Sequence, residues 1–229
     1  MIDNSIEIDL APLIDHTFLN PIASPQQIEQ YCDQALRYQF AAVCVYPSYV
    51  RLVTEQLRGK SPQICTVIGF PSGATTPAVK LYEAQEAVEN GATELDVMVN
   101  LSWVKLGQTQ KLYQEIAEIC ENTGQTVKAI IETAVLTDPE KRLAIEVLID
   151  AGVSWVQTNT GWYGGATIED VKLLKQLSKG QLGIKAAGQI RTVGQAADLI
   201  LAGAARLGTS YSVEIVRGQN QPEEDNNLM

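Results

Sequence analysis

The chain has 229 residues, of which 45% are hydrophobic and 19% are charged, and its formal net charge is −10. This length suits one large domain with a sizeable core, and the composition excludes a wholly disordered chain. The acidic excess argues against nucleic acid and anionic membranes as partners, because both carry negative charge.

Eight short apolar runs recur along the chain, with an amphipathic segment between each pair. In chain order they lie near residues 14, 43, 66, 97, 129, 156, 184 and 207. They are continuous rather than alternating, which is typical of parallel strands that are covered on both faces. Eight such units favour an α/β fold, a single (β/α)₈ TIM barrel, over an open doubly wound sheet, for which six strands are enough.

Local signals mark where the intervening helices begin and end. Ser24-Pro25 and the capping box at Thr137 predict helix starts, and Thr76-Pro77 opens a helix that runs to Asn90. Glycines that favour a left-handed C-cap precede the next strand at Gly91, Gly124 and Gly152. We predict one barrel domain over residues 1–217 and a flexible acidic tail over residues 218–229.

The cysteines and the first residues bear on the compartment. Cys32, Cys44, Cys65 and Cys120 are far apart and form no CxxC motif. The first twelve residues contain acids and no apolar run, unlike a secretory signal or a membrane segment. We therefore expect a reduced, soluble, cytoplasmic protein.

Several predicted strands contain polar or ionisable residues. In a barrel enzyme the chemistry lies at the carboxyl ends of the strands, and a buried charge is costly unless it is paired or functional. These residues therefore indicate either a functional site or a structural ion-pair network inside the barrel. They are Asp15, His16, Asp96, Lys128, Glu132, Gln157, Thr158 and Lys185.

Glycine-rich segments follow the last three predicted strands. They are Thr160–Gly165, Ala187–Gln189 and Gly208–Ser210. Loops that run into helix N-termini supply free backbone N–H groups and commonly hold a phosphate. One such loop would indicate no more than a tight turn, but three that converge favour an anion site.

Long motifs resemble those of the deoxyribose-phosphate aldolase family across nearly the whole chain. They include LIDHTFLNP, AAVCVYP, VIGFPSGATTPAVKLYEAQEAVENGATELDVMVN, VKAIIETAVLTD, TNTGWYGGAT, GIKAAGQIRT and AGAARLGTSYSVEIV. The resemblance implies a TIM barrel that reversibly cleaves 2-deoxyribose 5-phosphate to glyceraldehyde 3-phosphate and acetaldehyde through a Schiff base. It implies no metal or other cofactor, a small phosphorylated sugar or related carbonyl compound as ligand, and a homodimer, which family members often form.

The resemblance also assigns residues one by one. The family's supporting aspartate and second lysine match Asp96 and Lys185, and its V-K-T-S-T-G motif aligns with Val156–Gly161, so Gln157 stands at the Schiff-base lysine. It implies substrate-binding roles for Asp15, Thr17, Cys44, Lys128 and Thr158. It implies phosphate-binding roles for Gly161, Gly188, Gly208 and Ser210.

The departures from the family pattern cluster where the chemistry is expected. Besides Gln157, there are three such departures. After the seventh strand, Gly188-Gln189 stands where the family has two glycines, and after the eighth strand, Gly208–Ser212, which includes Tyr211, stands where the family has G-T-S-S-G. Near the first strand, Asn20 stands where the family often has a lysine. Gln189 and Tyr211 add bulk that weakens a phosphate site.

A glutamine amide cannot form an imine, so the covalent route at position 157 is closed. An unperturbed lysine is neutral in only about 0.04% of molecules at pH 7, so Lys185 is poorly prepared to replace it. A metal route is disfavoured because metal-dependent aldol chemistry needs several imidazoles, and His16 is the sole histidine.

Three hypotheses remain open. The chain is a slow aldolase that uses Lys185, a catalytically silent barrel that binds a small molecule or a protein partner, or a non-covalent enzyme that uses Asp96 and Lys185 as an acid–base pair. The resemblance favours the first hypothesis, and the site residues favour the second. We predict that aldol cleavage is absent or strongly reduced.

Overall fold

Eight parallel strands close into a barrel in chain order, in a computed structural model that describes residues 8–219. Each strand pairs with its sequence neighbour, and β1 pairs with β8 to close the sheet. The predicted TIM barrel is therefore confirmed. The strands are β1 (Ile14–Phe18), β2 (Ala42–Val45), β3 (Gln63–Ile68), β4 (Glu94–Met98), β5 (Thr126–Ile130), β6 (Trp155–Gln157), β7 (Gly183–Ala187) and β8 (Arg206–Thr209).

Helices connect the strands and surround the barrel. Ser24 and Thr137 cap their helices through reciprocal hydrogen bonds with Gln27 and Glu140, as their sequences predict. The α-helices are α1 (Pro25–Tyr38), α2 (Val50–Leu57), α3 (Pro77–Glu89), α4 (Leu101–Lys105), α5 (Thr109–Thr123), α6 (Asp138–Asp150), α7 (Ile168–Ser178), α8 (Val193–Ala202) and α9 (Ser212–Gln219).

The last helix, α9, continues past the predicted end of the domain. Gly218 and Gln219, which the sequence places in the tail, are still helical. The remaining predicted tail, residues 220–229, lies outside the described residues, so its flexibility stays a prediction. Within residues 8–219, none of the helices has both the length and the apolar character that crossing a membrane requires.

The barrel interior is apolar on one side and charged on the other. Ala42 and Cys44 on β2 pack against Cys65 and Val67 on β3 as a small cluster, separate from the main core between the strands and the helices. Side chains two residues apart face the same side of a strand, so each of these pairs points inward. The charged groups come from the other strands.

Trp155 narrows the barrel at the amino ends of the strands. A Cβ on the neighbouring Gly183 would lie 2.3 Å from Cε3 of Trp155, so the indole packs directly over a glycine backbone. The guanidinium of Arg206 lies 5.4 Å from the centroid of the Trp155 ring, within the range of a cation–π contact. This packing leaves the opposite, carboxyl end as the open end of the barrel.

His16 lies on β1 and faces α1 rather than the barrel interior. Its ring stacks on Tyr31 at a centroid distance of 4.2 Å, and its Nε2 lies 2.9 Å from Oε1 of Gln34. Because the glutamine oxygen only accepts, this nitrogen carries the proton. Burial lowers the pKa of His16 to about 4, against the opposing effect of the Gln34 hydrogen bond.

Because the pKa of His16 is low, the free energy of unfolding should depend on pH in the mildly acidic range. His16 binds a proton near pH 6.5 in the unfolded chain but only near pH 4 in the folded chain. The free energy of unfolding therefore decreases as the pH is lowered from about 6.5 to about 4. We expect the free energy of unfolding to fall by about 2 kcal/mol from pH 7 to pH 5. Urea denaturation at the two pH values measures this, and a His16→Phe variant should lose most of the difference. An equal pH dependence in the variant would contradict the assignment.

Candidate active site at the mouth of the barrel

A cavity of about 270 Å³ opens at the carboxyl ends of the strands, where barrel enzymes place their chemistry. The three residues that the resemblance assigns to catalysis, Asp96, Gln157 and Lys185, all line it, each from a different strand. Thr17 and Cys44 line it as well. The structure thus brings together at one mouth residues that are up to 168 positions apart, from Thr17 to Lys185.

Lys185, which lines the cavity, is held between two carboxylates. Its Nζ lies 2.5 Å from Oδ2 of Asp96 and 2.6 Å from Oδ2 of Asp15. All three side chains are almost fully buried. A residue at this depth can remain charged only because the opposite charges lie so close.

Two further cations complete this interior ion network, which comprises Asp15, Glu94, Asp96, Lys128, Lys185 and Arg206. Nζ of Lys128 lies 2.6 Å from Glu94, 3.0 Å from Asp96 and 3.6 Å from Asp15. Arg206 lies 2.6 Å from Asp15 and 3.7 Å from Glu94. Three carboxylates thus face three cations, and the interior ion network is neutral when all six groups are ionised.

The interior ion network keeps Lys185 protonated. Burial alone would lower the pKa of Lys185, but attraction to Asp15 and Asp96 outweighs burial and raises that pKa well above its ordinary value. Repulsion by Lys128 lowers this pKa, but by less than either aspartate raises it. The neutral amine that attacks a carbonyl is therefore even rarer at Lys185 than in free lysine.

The carboxylates respond in the opposite sense. Burial raises the pKa of both Asp15 and Asp96, but Lys128 and Lys185 outweigh it, so both pKa values lie below the ordinary range. Each aspartate is therefore an anion at neutral pH. It serves as a partner for the lysines rather than as a ready proton donor.

Gln157 ends β6 beside Lys185, with which it is in register across the β6–β7 pair. Its side chain is 5% exposed, and its Nε2 donates to the backbone carbonyl of Asn159 at 3.1 Å. Its Oε1 is buried and has no hydrogen-bond partner. A carboxamide thus occupies the cavity wall next to Lys185, which lines the cavity as well.

Glu132 and Asn159 fix the start of the loop after β6. Oε2 of Glu132 accepts a hydrogen bond from the backbone N–H of Thr160 at 2.9 Å. The backbone of Glu132 is left-handed, with a φ of 54°. The Asn159 side chain donates to Thr133 and Gly165, and it accepts from the N–H of Ala134. The motif comparison indicated the position of Asn159, but not this tethering role.

The three glycine-rich loops meet at the rim, as their sequences predict. A Cβ on Gly161 would lie 3.6 Å from Cα of Gly188, and one on Gly188 would lie 3.0 Å from the carbonyl oxygen of Gly164. Gln189 adopts a left-handed φ of 57°, a conformation that is usually left to glycine. Gly161, Gly188, Gly208 and Ser210, the predicted phosphate-binding residues, all line the cavity.

Gly208 also makes room for the lysine. A Cβ at this position would lie 2.9 Å from Cε of Lys185, so a larger residue would displace that side chain. Its role in the structure is therefore to admit Lys185 as well as to line the mouth.

Two aromatic residues surround the opening, together with one arginine that the sequence did not single out. Trp162 and Tyr211, which the sequence suggests could close over a ligand, line the cavity and are exposed at the rim; the arginine is Arg191. The guanidinium of Arg191 lies 5.5 Å from the centroid of the Tyr211 ring and also lines the cavity. Arg191 follows the Gly188 loop, so the convergence of these loops was the signal that could have indicated it.

Three residues with predicted substrate contacts lie elsewhere. Asp15 and Lys128 are fully buried in the interior ion network and do not line the cavity. The hydroxyl of Thr158 donates to the carbonyl of Ala187 and accepts from its N–H, both at 3.0 Å, because Thr158 faces away from the cavity. None of these three residues lines the cavity in this structure, so their substrate-binding roles stay predictions.

Cys44, Cys65 and Asp96 lie close enough together to hold a metal ion. Asp96 is already paired with the ammonium groups of Lys128 and Lys185, which repel a cation. Burial raises the pKa of Cys65 well above its ordinary value, so its thiol stays protonated. The donor set therefore fits a metal poorly.

Comparison with known proteins places the chain in a family. Residues 10–212 match the model for DeoC/LacD family aldolases. The chain is 58% identical over 217 residues to the deoxyribose-phosphate aldolase of Trichormus variabilis, covering 95% of this chain and 96% of that protein. It is also 58% identical over 227 residues to that of Cyanothece sp., covering 99% and 100%.

A solved structure agrees with these relatives. The tetrameric deoxyribose phosphate aldolase of Aeropyrum pernix superposes with a TM-score of 0.85 at 34% identity, over 91% of this chain and 89% of that one. Fold and sequence agree over nearly the whole length, so this chain belongs to the deoxyribose-phosphate aldolase family.

Proposed function

We propose that this member of the family binds a small phosphorylated sugar or related carbonyl compound at the barrel mouth without forming a Schiff base. In this proposal the reversible cleavage of 2-deoxyribose 5-phosphate to glyceraldehyde 3-phosphate and acetaldehyde is absent or strongly reduced. The observation that supports it is that Gln157 and Lys185 lie side by side in the cavity wall, where Lys185 is held in its protonated form by Asp15 and Asp96.

Position 157 offers no nucleophile. The lone pair of an amide nitrogen is delocalised into its carbonyl group, so Gln157 cannot attack an aldehyde. Its Nε2 also donates to the carbonyl of Asn159, which holds the side chain in one orientation. The residue can orient a ligand by hydrogen bonding, but it cannot hold one covalently.

Lys185 is a poor replacement for the missing amine. Forming the neutral amine would remove one cation and leave Asp15 and Asp96 with an excess negative charge in a buried site. The same clamp makes Lys185 a weak acid, because its raised pKa opposes proton release. Both the slow-aldolase hypothesis and the acid–base hypothesis are weaker for this reason.

The rim supplies the phosphate end of the proposed site. The loops that contain Gly161, Gly188 and Ser210 meet there, and the guanidinium of Arg191 adds a positive charge beside Tyr211. Arginine suits phosphate because its planar donors pair with two oxygens at once. A protein partner that replaces the small ligand remains the alternative, and an absence of any sugar-phosphate binding would favour it.

The proposal is tested by trapping and by turnover. Protein incubated with acetaldehyde and borohydride should show no ethyl adduct on lysine by intact-mass spectrometry, and coupled assays should detect no glyceraldehyde 3-phosphate from 2-deoxyribose 5-phosphate. A Lys185→Met variant provides the matched control for any trace of labelling. An adduct that disappears in this variant, together with measurable cleavage in the unchanged chain, would overturn the proposal.

A further inference from the structure

The wall of the cavity contains an acceptor that no group within residues 8–219 satisfies. Oε1 of Gln157 has no hydrogen-bond partner although the side chain is 95% buried (5% exposed). A buried oxygen without a partner has lost its hydration without a hydrogen bond in return, so a ligand that supplies a donor there gains affinity. This observation concerns the site of the proposed function, on which the inference rests.

The orientation of the amide is fixed by its neighbour. The carbonyl of Asn159 can only accept, so the nitrogen of Gln157 must face it, and the oxygen must face the other way. The side chain borders the cavity, but Oε1 itself is closed to water, inside the cavity as well as outside it. A ligand in the cavity therefore satisfies this oxygen only if the Gln157 side chain shifts towards it.

The neighbouring group has the opposite requirement. Lys185 lines the same cavity and, as a protonated amine, can only donate. The oxygens of an aldehyde or a carboxylate can only accept hydrogen bonds. They therefore suit Lys185 but leave Oε1 of Gln157 without a donor. A hydroxyl both donates and accepts, so one hydroxyl on the innermost carbon can serve Gln157 and Lys185 together.

We propose that the mouth selects phosphorylated polyols and cyclic hemiacetals, whose innermost carbon carries a hydroxyl, over ligands whose innermost carbon carries no hydrogen-bond donor. The hydroxyl donates to Oε1 of Gln157 and accepts from Nζ of Lys185. The phosphate lies at the rim near Arg191. No bond is made or broken.

The test compares two ligands that differ in one hydroxyl. Binding of 2-deoxyribitol 5-phosphate and of its 1-deoxy counterpart is measured by calorimetry on the full chain. We expect the first to bind about tenfold more tightly, because the second leaves Oε1 unsatisfied. Equal affinities, or no binding of either ligand, would overturn the inference.

Two variants separate this effect from a general loss of binding. Gln157→Met removes the acceptor at similar size and should bring the affinity ratio close to one. Gln181→Met changes an exposed glutamine before β7, at the other end of the barrel, and should keep the tenfold ratio. A tenfold ratio that persists in Gln157→Met would assign the preference to another residue.

The proposed function fails by a different result. Cleavage of 2-deoxyribose 5-phosphate by the unchanged chain would overturn the proposed function. The ratio of the affinities for the two polyol phosphates would still test the ligand class independently. Equal affinities for the two polyols without any cleavage would overturn the ligand class alone.

Discussion

Replacing Gln157 with lysine is expected to raise the rate of 2-deoxyribose 5-phosphate cleavage by on the order of 10⁴-fold over the unchanged chain. The substitution restores a primary amine at the cavity wall, beside Lys185 and in register with it. The coupled assay for glyceraldehyde 3-phosphate measures the gain. Borohydride trapping with acetaldehyde should then show one ethyl adduct, which peptide mapping places on residue 157.

The charge balance of the interior ion network explains why the new amine should be reactive. The three carboxylates of the interior ion network already have three cations as partners, so a fourth cation finds no free partner within that network. Burial and repulsion by Lys185 then both lower the pKa of the introduced lysine. Each unit of this decrease increases the neutral fraction about tenfold near neutral pH.

Two controls show whether the amine itself is responsible. Gln157→Arg adds a cation of similar reach that cannot form an imine, and it should stay inactive. Gln181→Lys adds a lysine away from the mouth and should neither trap acetaldehyde nor cleave the sugar. If Gln157→Lys neither binds nor cleaves 2-deoxyribose 5-phosphate, the rim around Gln189 and Tyr211 has diverged too far for this substrate.

The fold was predictable because its signals are local. A run of apolar residues between two caps identifies a strand–helix unit without any knowledge of distant contacts, and Ser24 and Thr137 form the capping boxes that their spacing indicates. The barrel rule then places the carboxyl ends of all the strands together. That step alone brings Asp96 and Lys185 to one mouth.

Strand alternation contains information about two further side chains. Glu94, which was not among the predicted site residues, lies two positions before Asp96 and therefore faces the same interior, where it is the closest partner of Lys128. Thr158 follows Gln157 directly, so it faces the opposite side, and its hydroxyl donates to the carbonyl of Ala187.

Depth along the barrel axis was beyond the reach of the sequence. Lys128 and Lys185 both lie in apolar strands, yet only Lys185 borders the cavity. Their heights depend on the stagger between neighbouring strands, which is a property of the closed sheet rather than of either strand. The role of Lys128 therefore emerges only from its distances to Asp96 and Glu94.

The second large effect is expected on stability. Replacing Lys128 with methionine should lower the free energy of unfolding by about 3–5 kcal/mol, because it leaves three buried carboxylates with two cations. Urea denaturation at pH 7 measures the loss. A lysine that served only to contact a ligand would leave the unliganded chain almost unchanged.

A compensating variant distinguishes lost charge balance from lost packing. Adding Glu94→Gln to Lys128→Met removes the carboxylate that lies closest to Lys128, so that two anions again face two cations. About half or more of the lost free energy of unfolding should then return. Lys172→Met, on the exposed face of α7, should change stability by less than about 0.5 kcal/mol. If the double variant is no more stable than the single one, packing rather than charge holds Lys128 in place. The neutral interior invoked for both Lys185 and the Gln157→Lys variant would then lose its support.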